Sequence, residues 1–228
     1  MEIDVLTLFP EVVDVLNSYG VIGRAIEKEI FSLNSINIRD FSKEKHRKVD
    51  DELYGGGCGM LMTPQPLHDA ISWVRKKDGY VIFLSPQGQV LTQEKLIELS
   101  KKNHLILLCG HYEGIDERII ELDVDEEISI GDYVLSGGEL PAMVLIDGIV
   151  RRLDGALGND NSVLEDSLSN GLLKYPQYTR PREFMGLKIP DVLLSGHHAN
   201  IEKWQKQQSL EKTKKKRPDL IKQLKNIK

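Results

Sequence analysis

Apolar runs broken by clusters of turn-forming residues set the layout of this 228-residue chain. Met1–Pro10 alternates and then runs apolar, which predicts a first strand ending at the proline. Val12–Leu16 and Val21–Ile30 carry apolar residues at helical spacing, interrupted by Gly20, and Leu33–Ile38 predicts a second strand. Three later runs begin at Tyr80, Leu105 and Glu127. They break respectively at Ser-Pro-Gln-Gly88, at Gly110 and Gly114, and at Gly131, Gly137 and Gly138. Continuous apolar runs bounded by turn residues suit strands buried on both faces of a parallel sheet. Leu91–Lys102 has a rough helical face, and a further helix opens at Glu139-Leu-Pro141, where proline's missing N–H costs nothing. Five consecutive strand–helix alternations imply an α/β architecture. In an open α/β sheet the ends of such strands share one edge, so three glycine-bearing loops assemble one crevice for a flat, polar molecule. Each loop taken alone is equally a tight strand–helix connection.

Past Gly155 the alternation fails. Gly158–Ser162 is turn-rich and reads as a linker, and Ile201–Lys228 is helical in period, with Leu210, Leu220, Ile221 and Leu224 on the inward face. The expected division is a main domain over 1–157, a linker over 158–172 and a small basic helical domain over 173–228. Charge supports the separation. Glu202–Lys228 holds ten Lys/Arg against three Asp/Glu, while the remainder holds 20 against 32. A basic module on an acidic body points to a polyanionic partner, and a solvated helix surface is the plainer alternative. A second basic cluster stands at Lys43–Lys48. Cys58 and Cys109 are the only cysteines and have no C-x-x-C spacing, which excludes a disulfide framework or a cysteine zinc site. No metal ligands are assigned. With no basic leader and no bilayer-length apolar stretch, a cytoplasmic protein without a membrane partner is expected.

The Gly55-Gly-Gly-Cys-Gly59 cluster lacks the preceding strand and following helix of a dinucleotide fingerprint, and no phosphate-loop motif occurs. The cluster reads instead as a flexible wall that admits a flat base.

Five segments carry a resemblance. They are Asp50-Asp-Glu-Leu-Tyr-Gly-Gly-Gly-Cys-Gly-Met60, Cys109-Gly-His-Tyr-Glu-Gly-Ile-Asp-Glu-Arg118, Gly131-Asp-Tyr-Val-Leu-Ser-Gly-Gly-Glu-Leu-Pro-Ala142, Glu165-Asp-Ser-Leu-Ser-Asn-Gly-Leu-Leu173 and Tyr175-Pro-Gln-Tyr-Thr-Arg-Pro181. In this order they resemble the signatures of bacterial tRNA (guanine-N1)-methyltransferase, and the likeness spans essentially the whole chain. Cys58 and Leu53 depart from it, standing where the family more often has proline. The resemblance implies a SPOUT-type parallel-sheet domain with a trefoil knot, followed by a small, mostly helical domain. It implies transfer of a methyl group from S-adenosyl-L-methionine to guanosine 37 of tRNA by a homodimer, with the linker of one subunit completing the site of the other. The helix Leu140–Leu153, with Met143, Leu145, Ile146, Ile149 and Val150, is the candidate interface; core burial is the alternative.

Guanine N1 carries a proton at neutral pH, so methylation there needs a general base and a donor for charge developing on O6. The resemblance gives the role of base to Asp166 and makes Arg151 its partner, either at O6 or in orienting the aspartate. Taken without it, Asp166 reads as an N-cap of Ser167–Leu173. The resemblance places the cofactor against Leu84, Ser85, Pro86 and Gln87, against Gly110, Tyr112, Glu113 and Gly114, and against Ile130, Gly131, Asp132, Tyr133, Val134 and Leu135, with Gly137, Gly138 and Pro141 at the rim. These are the loops that the sheet-edge argument selects. Glu113 is either a loop hydrogen-bonder or a holder of a cation or the cofactor's amino group. For the anticodon stem-loop, His46 and Arg47 are expected at phosphates. Asp50, Tyr54, Gly55, Gly56, Gly57 and Gly59 are expected around an extruded base. A nucleotide-binding regulatory module and a related methyltransferase acting at another RNA site are the rival readings.

Overall fold

The computed structural model describes residues 1–75, 78–157, 166–168 and 170–226; the expected linker over Gly158–Ser162 lies outside them. The chain divides into two compact units, Met1–Gly158 and Asn159–Lys228.

The first unit is built on five parallel strands in the order β2-β1-β6-β5-β7. These are β1 (Glu2–Thr7), β2 (Ser32–Asn37), β5 (Gly79–Val90), β6 (His104–Cys109) and β7 (Glu126–Ser129). The short strands β3 (Asp50–Asp51) and β4 (Leu61–Met62) form a separate antiparallel pair. Because strand side chains alternate between faces, each central strand feeds two cores. Leu105, Leu107 and Cys109 of β6 pack with α1 (Pro10–Asp14), α2 (Gly20–Glu27), α4 (Gln93–Leu99) and α6 (Glu139–Val150). Ile106 and Leu108 pack with α3 (Pro64–Val74) and α5 (Glu117–Asp123). Every residue of β6 is buried, as the continuous apolar run requires.

Sequence periodicity misses α3 and α5. The first turn of α3 reads Pro-Gln-Pro, a loop-like composition, and its helix is stabilised by burial of Leu67, Ala70, Ile71 and Val74. α5 has only seven residues, under two turns of signal.

Two glycines mark places where backbone meets backbone. A Cβ on Gly88 would lie 2.4 Å from Glu127 C and Ile128 N, and one on Gly138 would lie 2.6 Å from Cys109 Cα. At Gly88 the chain has just made an excursion: Leu84 and Gln89 both pair with Ile128, so Ser85–Gly88 bulges out of the sheet edge.

The second unit contains a hairpin of β8 (Glu183–Phe184) and β9 (Leu187–Lys188), a 3-10 turn at Asp191–Leu194, and the helices α7 (His198–Lys216) and α8 (Pro218–Asn226). The single tail helix expected over Ile201–Lys228 is interrupted because proline disfavours helical backbone at the residue before it, and Arg217 has φ −140° and ψ 66°. Leu220, Ile221 and Leu224 are half-buried as the periodicity implies, whereas Leu210 is exposed.

Candidate active site

The C-terminal ends of β6, β5 and β7 open into a cleft of about 460 Å³, within the size range that holds a small-molecule cofactor. Of the residues assigned to the cofactor from sequence, Leu84 to Gln87, Gly110, Tyr112 to Gly114, Ile130, Gly131, Tyr133 to Leu135, Gly137, Gly138 and Pro141 all line it, and Asp132 does not. Sequence reasoning left out His111, Leu61, Phe83, Ile115, Glu117, Ile120, Glu127, Ile128, Ser129 and Ser136, which also line it. His111, Ile115, Glu117 and Ser136 stand within the quoted motifs; Phe83, Glu127, Ile128 and Ser129 lie in runs read as strands, and Leu61 and Ile120 in elements not foreseen.

Backbone conformation shapes the walls. Tyr112 has φ 59° and Gly114 φ 123°. The first is uncommon for a residue with a side chain and stores strain where it occurs at binding sites. The phenol of Tyr112 accepts from Arg39 Nη2 at 3.5 Å, which sets an unforeseen cation at the rim. Ser129 Oγ accepts from Gly131 N at 3.1 Å, pinning the turn after β7.

A buried network ties the walls together. Glu139, at the first position of α6, is 5% exposed. Its Oε1 accepts from Thr7 Oγ1 at 2.5 Å, and His111 Nε2 lies 2.8 and 2.9 Å from its two oxygens. The Phe9 ring meets the imidazole edge-on at 5.0 Å. A Cβ on Gly137 would lie 2.3 Å from the His111 ring, so this loop seats on the imidazole only as glycine. Burial pushes the Glu139 carboxyl upward, but the hydrogen bonds from His111 and Thr7 outweigh it and hold the group below its ordinary value. A carboxylate depressed in the folded state adds stability above its unfolded pKa of about 4.3, and that stability is lost as pH falls through the folded value. Melting temperatures recorded from pH 7 to pH 3 are therefore expected to fall more steeply for the wild type than for Glu139→Gln once pH drops below about 4. Parallel curves would show that the carboxylate adds nothing.

The cleft is acidic. Glu113, Glu117 and Glu127 line it, and none of its described lining residues is Lys or Arg. Burial raises the Glu127 carboxyl, and the nearby negative charge of Glu117 adds to the shift.

The glycine cluster is joined to this cleft. It caps the β3–β4 hairpin, whose Met60 O accepts from Glu113 N at 2.9 Å and whose Met62 N donates to Gly114 O at 3.0 Å. The Glu113 carboxylate occupies the space a Cβ on Gly59 would need, 2.5 Å from Oε1. Gly55, Gly56 and Gly57 have φ of 86°, 80° and 139° in open space. Tyr54 is fully exposed and Asp50 half-buried on β3. His46 and Arg47 sit on a 3-10 turn with φ of 61° and 54°. Three cations of the basic cluster pair with acids outside it: Lys43 with Asp69 at 2.7 Å, Arg47 with Asp40 at 2.7 Å and Lys48 with Asp51 at 3.1 Å. Exposed pairs of this kind are weak.

Arg151 caps α6 and is half-buried in the first unit; Asp166 is half-buried in the second. The N-cap reading of Asp166 is overturned. Leu168 has φ 74° and donates to Leu172 O at 2.8 Å, so a turn follows, with no helix among the described residues of Ser167–Leu173. The interface assignment along α6 is corrected too. Leu145, Ile146, Ile149 and Val150 are fully buried in the core and Met143 packs against it, whereas Leu140 and Val144 are exposed.

The sequence pattern of the family described as tRNA (Guanine-1)-methyltransferase TrmD matches residues 1–223. Similar proteins carry the name tRNA (guanine-N(1)-)-methyltransferase. That of Ruminiclostridium cellulolyticum is 60% identical, covering 99% of this chain and 98% of the relative. That of Finegoldia magna is 56% identical over 96% and 94% of the two chains. That of Shouchella clausii is 54% identical over 97% and 92%. The chain thus belongs to the tRNA (guanine-1)-methyltransferase family, and its activity is methylation of guanine N1 in tRNA.

Proposed function

We propose that the cleft binds S-adenosyl-L-methionine and that the methyl group passes to N1 of guanosine 37, beside the anticodon. The acidic lining carries this reading. A polyphosphate cofactor calls for N–H cradles and Lys or Arg, whereas three glutamates suit a cofactor carrying a sulfonium and an ammonium. Ile130, Val134 and Leu135 offer apolar surface to a nucleobase, and the glycine loops let backbone edges approach it. When bound, the cofactor supplies an electrophilic methyl group. The protein's task is to hold the guanine edge-on to it and take the N1 proton. Asp166 accepts that proton while Arg151 donates to O6, where negative charge develops. As the proton moves to the carboxylate, N1 gains the methyl group and the neutral sulfide is left.

Other observations support the wider assembly. Leu140 and Val144 of α6 are 55% and 50% exposed, and Val12, Val15 and Tyr19 are exposed at or just beyond α1, which packs on α6. An apolar surface of this kind on a soluble enzyme marks an interface, and a twofold dimer places the same patch on both subunits. Dimerisation is proposed to bring Asp166 of one subunit to the cleft of the other. The backbone crossings at Gly88 and Gly138 support a trefoil knot, in which chain drawn through its own loop leaves no room for side chains. No helix among the described residues is long and apolar enough to cross a membrane, and the cysteines are free; both suit the cytoplasm.

The second unit is proposed to bind tRNA phosphates, led by Lys214, Lys215 and Lys216 in the last turn of α7. Changing these three to Gln is expected to weaken RNA binding and flatten its dependence on salt by about 0.7–0.9 in log–log slope per lost phosphate contact. An unchanged slope contradicts the assignment. The reaction itself is tested with methyl-labelled cofactor and anticodon stem-loop RNA bearing guanosine or adenosine at the target. Label is expected only in the guanosine RNA, released on digestion as 1-methylguanosine. Label on ribose or at another base sinks the reading.

A further inference from the structure

The β8–β9 hairpin of the second unit presents apolar side chains that it cannot bury. Phe184, Met185 and Leu187 are 65%, 87% and 77% exposed, and Gly186 is the only other residue of the tip. Phe184 pairs with Leu187 across the strands, so both ends of the turn are apolar. Met185 and Gly186 have φ of 52° and 80°, the two left-handed positions of a tight two-residue turn, which is normally filled by Asn-Gly or Asp-Gly. A methionine there is strained and solvent-exposed at once, so neither local propensity nor core burial accounts for it. A two-stranded hairpin gains little stability of its own in water.

The flanks of this tip are basic. Arg180, Arg182 and Lys188 stand against Glu183 as the lone acid between Arg180 and Lys188. Lys188 pairs with Glu183 at a loose 3.7 Å. Arg180 and Arg182 are exposed, and neither has an ion pair among the described residues. An exposed aromatic ring between cations is the composition that binds unpaired nucleotides: the ring stacks on a base and the cations hold its phosphates. An apolar protein partner explains the tip but not the unpaired arginines.

We infer that the Phe184–Leu187 hairpin is an RNA-reading element, in which Phe184 stacks on an unpaired base of the RNA while Arg180 and Arg182 hold the adjoining phosphates. This rests on the proposed action on an anticodon loop and names a contact outside the cleft.

The test measures affinity for the anticodon stem-loop and for a duplex of equal length, with steady-state transfer alongside. Phe184→Ala is expected to weaken stem-loop binding about 5- to 100-fold, the usual loss on deleting a stacked aromatic. The RNA KM should rise in step, with kcat at saturating RNA and cofactor affinity within about twofold of wild type. Duplex affinity and the salt slope should hold. Phe184→Trp should restore binding, which a merely structural role does not predict, and Arg182→Gln should lower the salt slope. Stem-loop affinity unchanged in Phe184→Ala overturns the inference, as does a variant that falls apart into monomers with its RNA affinity intact, which would make the tip a protein contact. Failure of the wild type to label any RNA would sink the proposed reaction instead, and binding is read separately from turnover.

Discussion

Asp166→Asn is expected to lower methyl transfer by about 10²- to 10⁴-fold, the range for loss of a positioned general base, while leaving cofactor affinity unchanged. The reason is chemical. The N1 lone pair of guanine is available only once its proton is leaving, and an amide cannot take that proton. Asparagine keeps the size and most hydrogen bonds of aspartate, so folding and dimerisation should survive. The cleft lies wholly in the first unit and Asp166 in the second, so the two functions are separable by mutation. Calorimetry with the cofactor and single-turnover transfer give the two readings. A loss of cofactor binding equal to the loss of rate would make Asp166 a binding residue, and activity within tenfold of wild type would exclude it as the base.

Gly138→Ala is expected to destabilise the protein by about 1–3 kcal/mol or more, the cost of overpacking a close-packed interior. That corresponds to a fall in melting temperature of roughly 2–10 °C for a chain of this size. Gly138 has φ −82° and ψ −7°, which alanine adopts freely, so backbone strain plays no part. What the methyl group meets is Cys109, at 2.6 Å from Cα and 2.9 Å from Cβ. Backbone must move, and with it the hydrogen bond from Gly138 N to Gly110 O at 3.1 Å that joins two walls of the cleft. Cofactor affinity should fall together with stability. Gly56→Ala is the contrast: φ is 80° with nothing within 4 Å, so only the left-handed backbone cost of about 1–2 kcal/mol applies. Equal melting temperatures for Gly138→Ala and wild type would show that the crossing is looser than its geometry.

Legibility in the sequence followed physical scale. The buried strands β5 and β6 announced themselves because burial on both faces leaves an unbroken apolar run, whereas β7, reading Glu-Glu-Ile-Ser at the end of the sheet, was marked by the glycine loop after it; the glycine loops of all three pointed to one edge. That local pattern reached Leu84, Gly110 and Gly131 without reference to any relative. It missed α3, whose prolines mimic a loop, and the hairpin at Phe184, whose strands are two residues each. It also read the apolar positions of α6 as an interface when most are core, since periodicity tells which side is apolar but not what covers it. The pairing of Glu139 with Thr7 spans 132 residues of sequence, beyond any local rule. Asp132 shows the opposite limit: it stands within a motif whose neighbours line the cleft, yet the turn directs it elsewhere.

The proposed sharing of the site between two subunits can be tested by mixing two variants, each expected to be inactive alone. Asp166→Asn lacks the proposed base, and Leu135→Lys sets a cation into the acidic cleft against the cationic cofactor proposed there. Unfolded together and refolded as dimers, they form mixed pairs in which one intact cleft meets one intact Asp166 of the other subunit. Random pairing then restores about a quarter of wild-type transfer. Activity no greater than that of the separate variants would place base and cleft within one subunit and contradict the account.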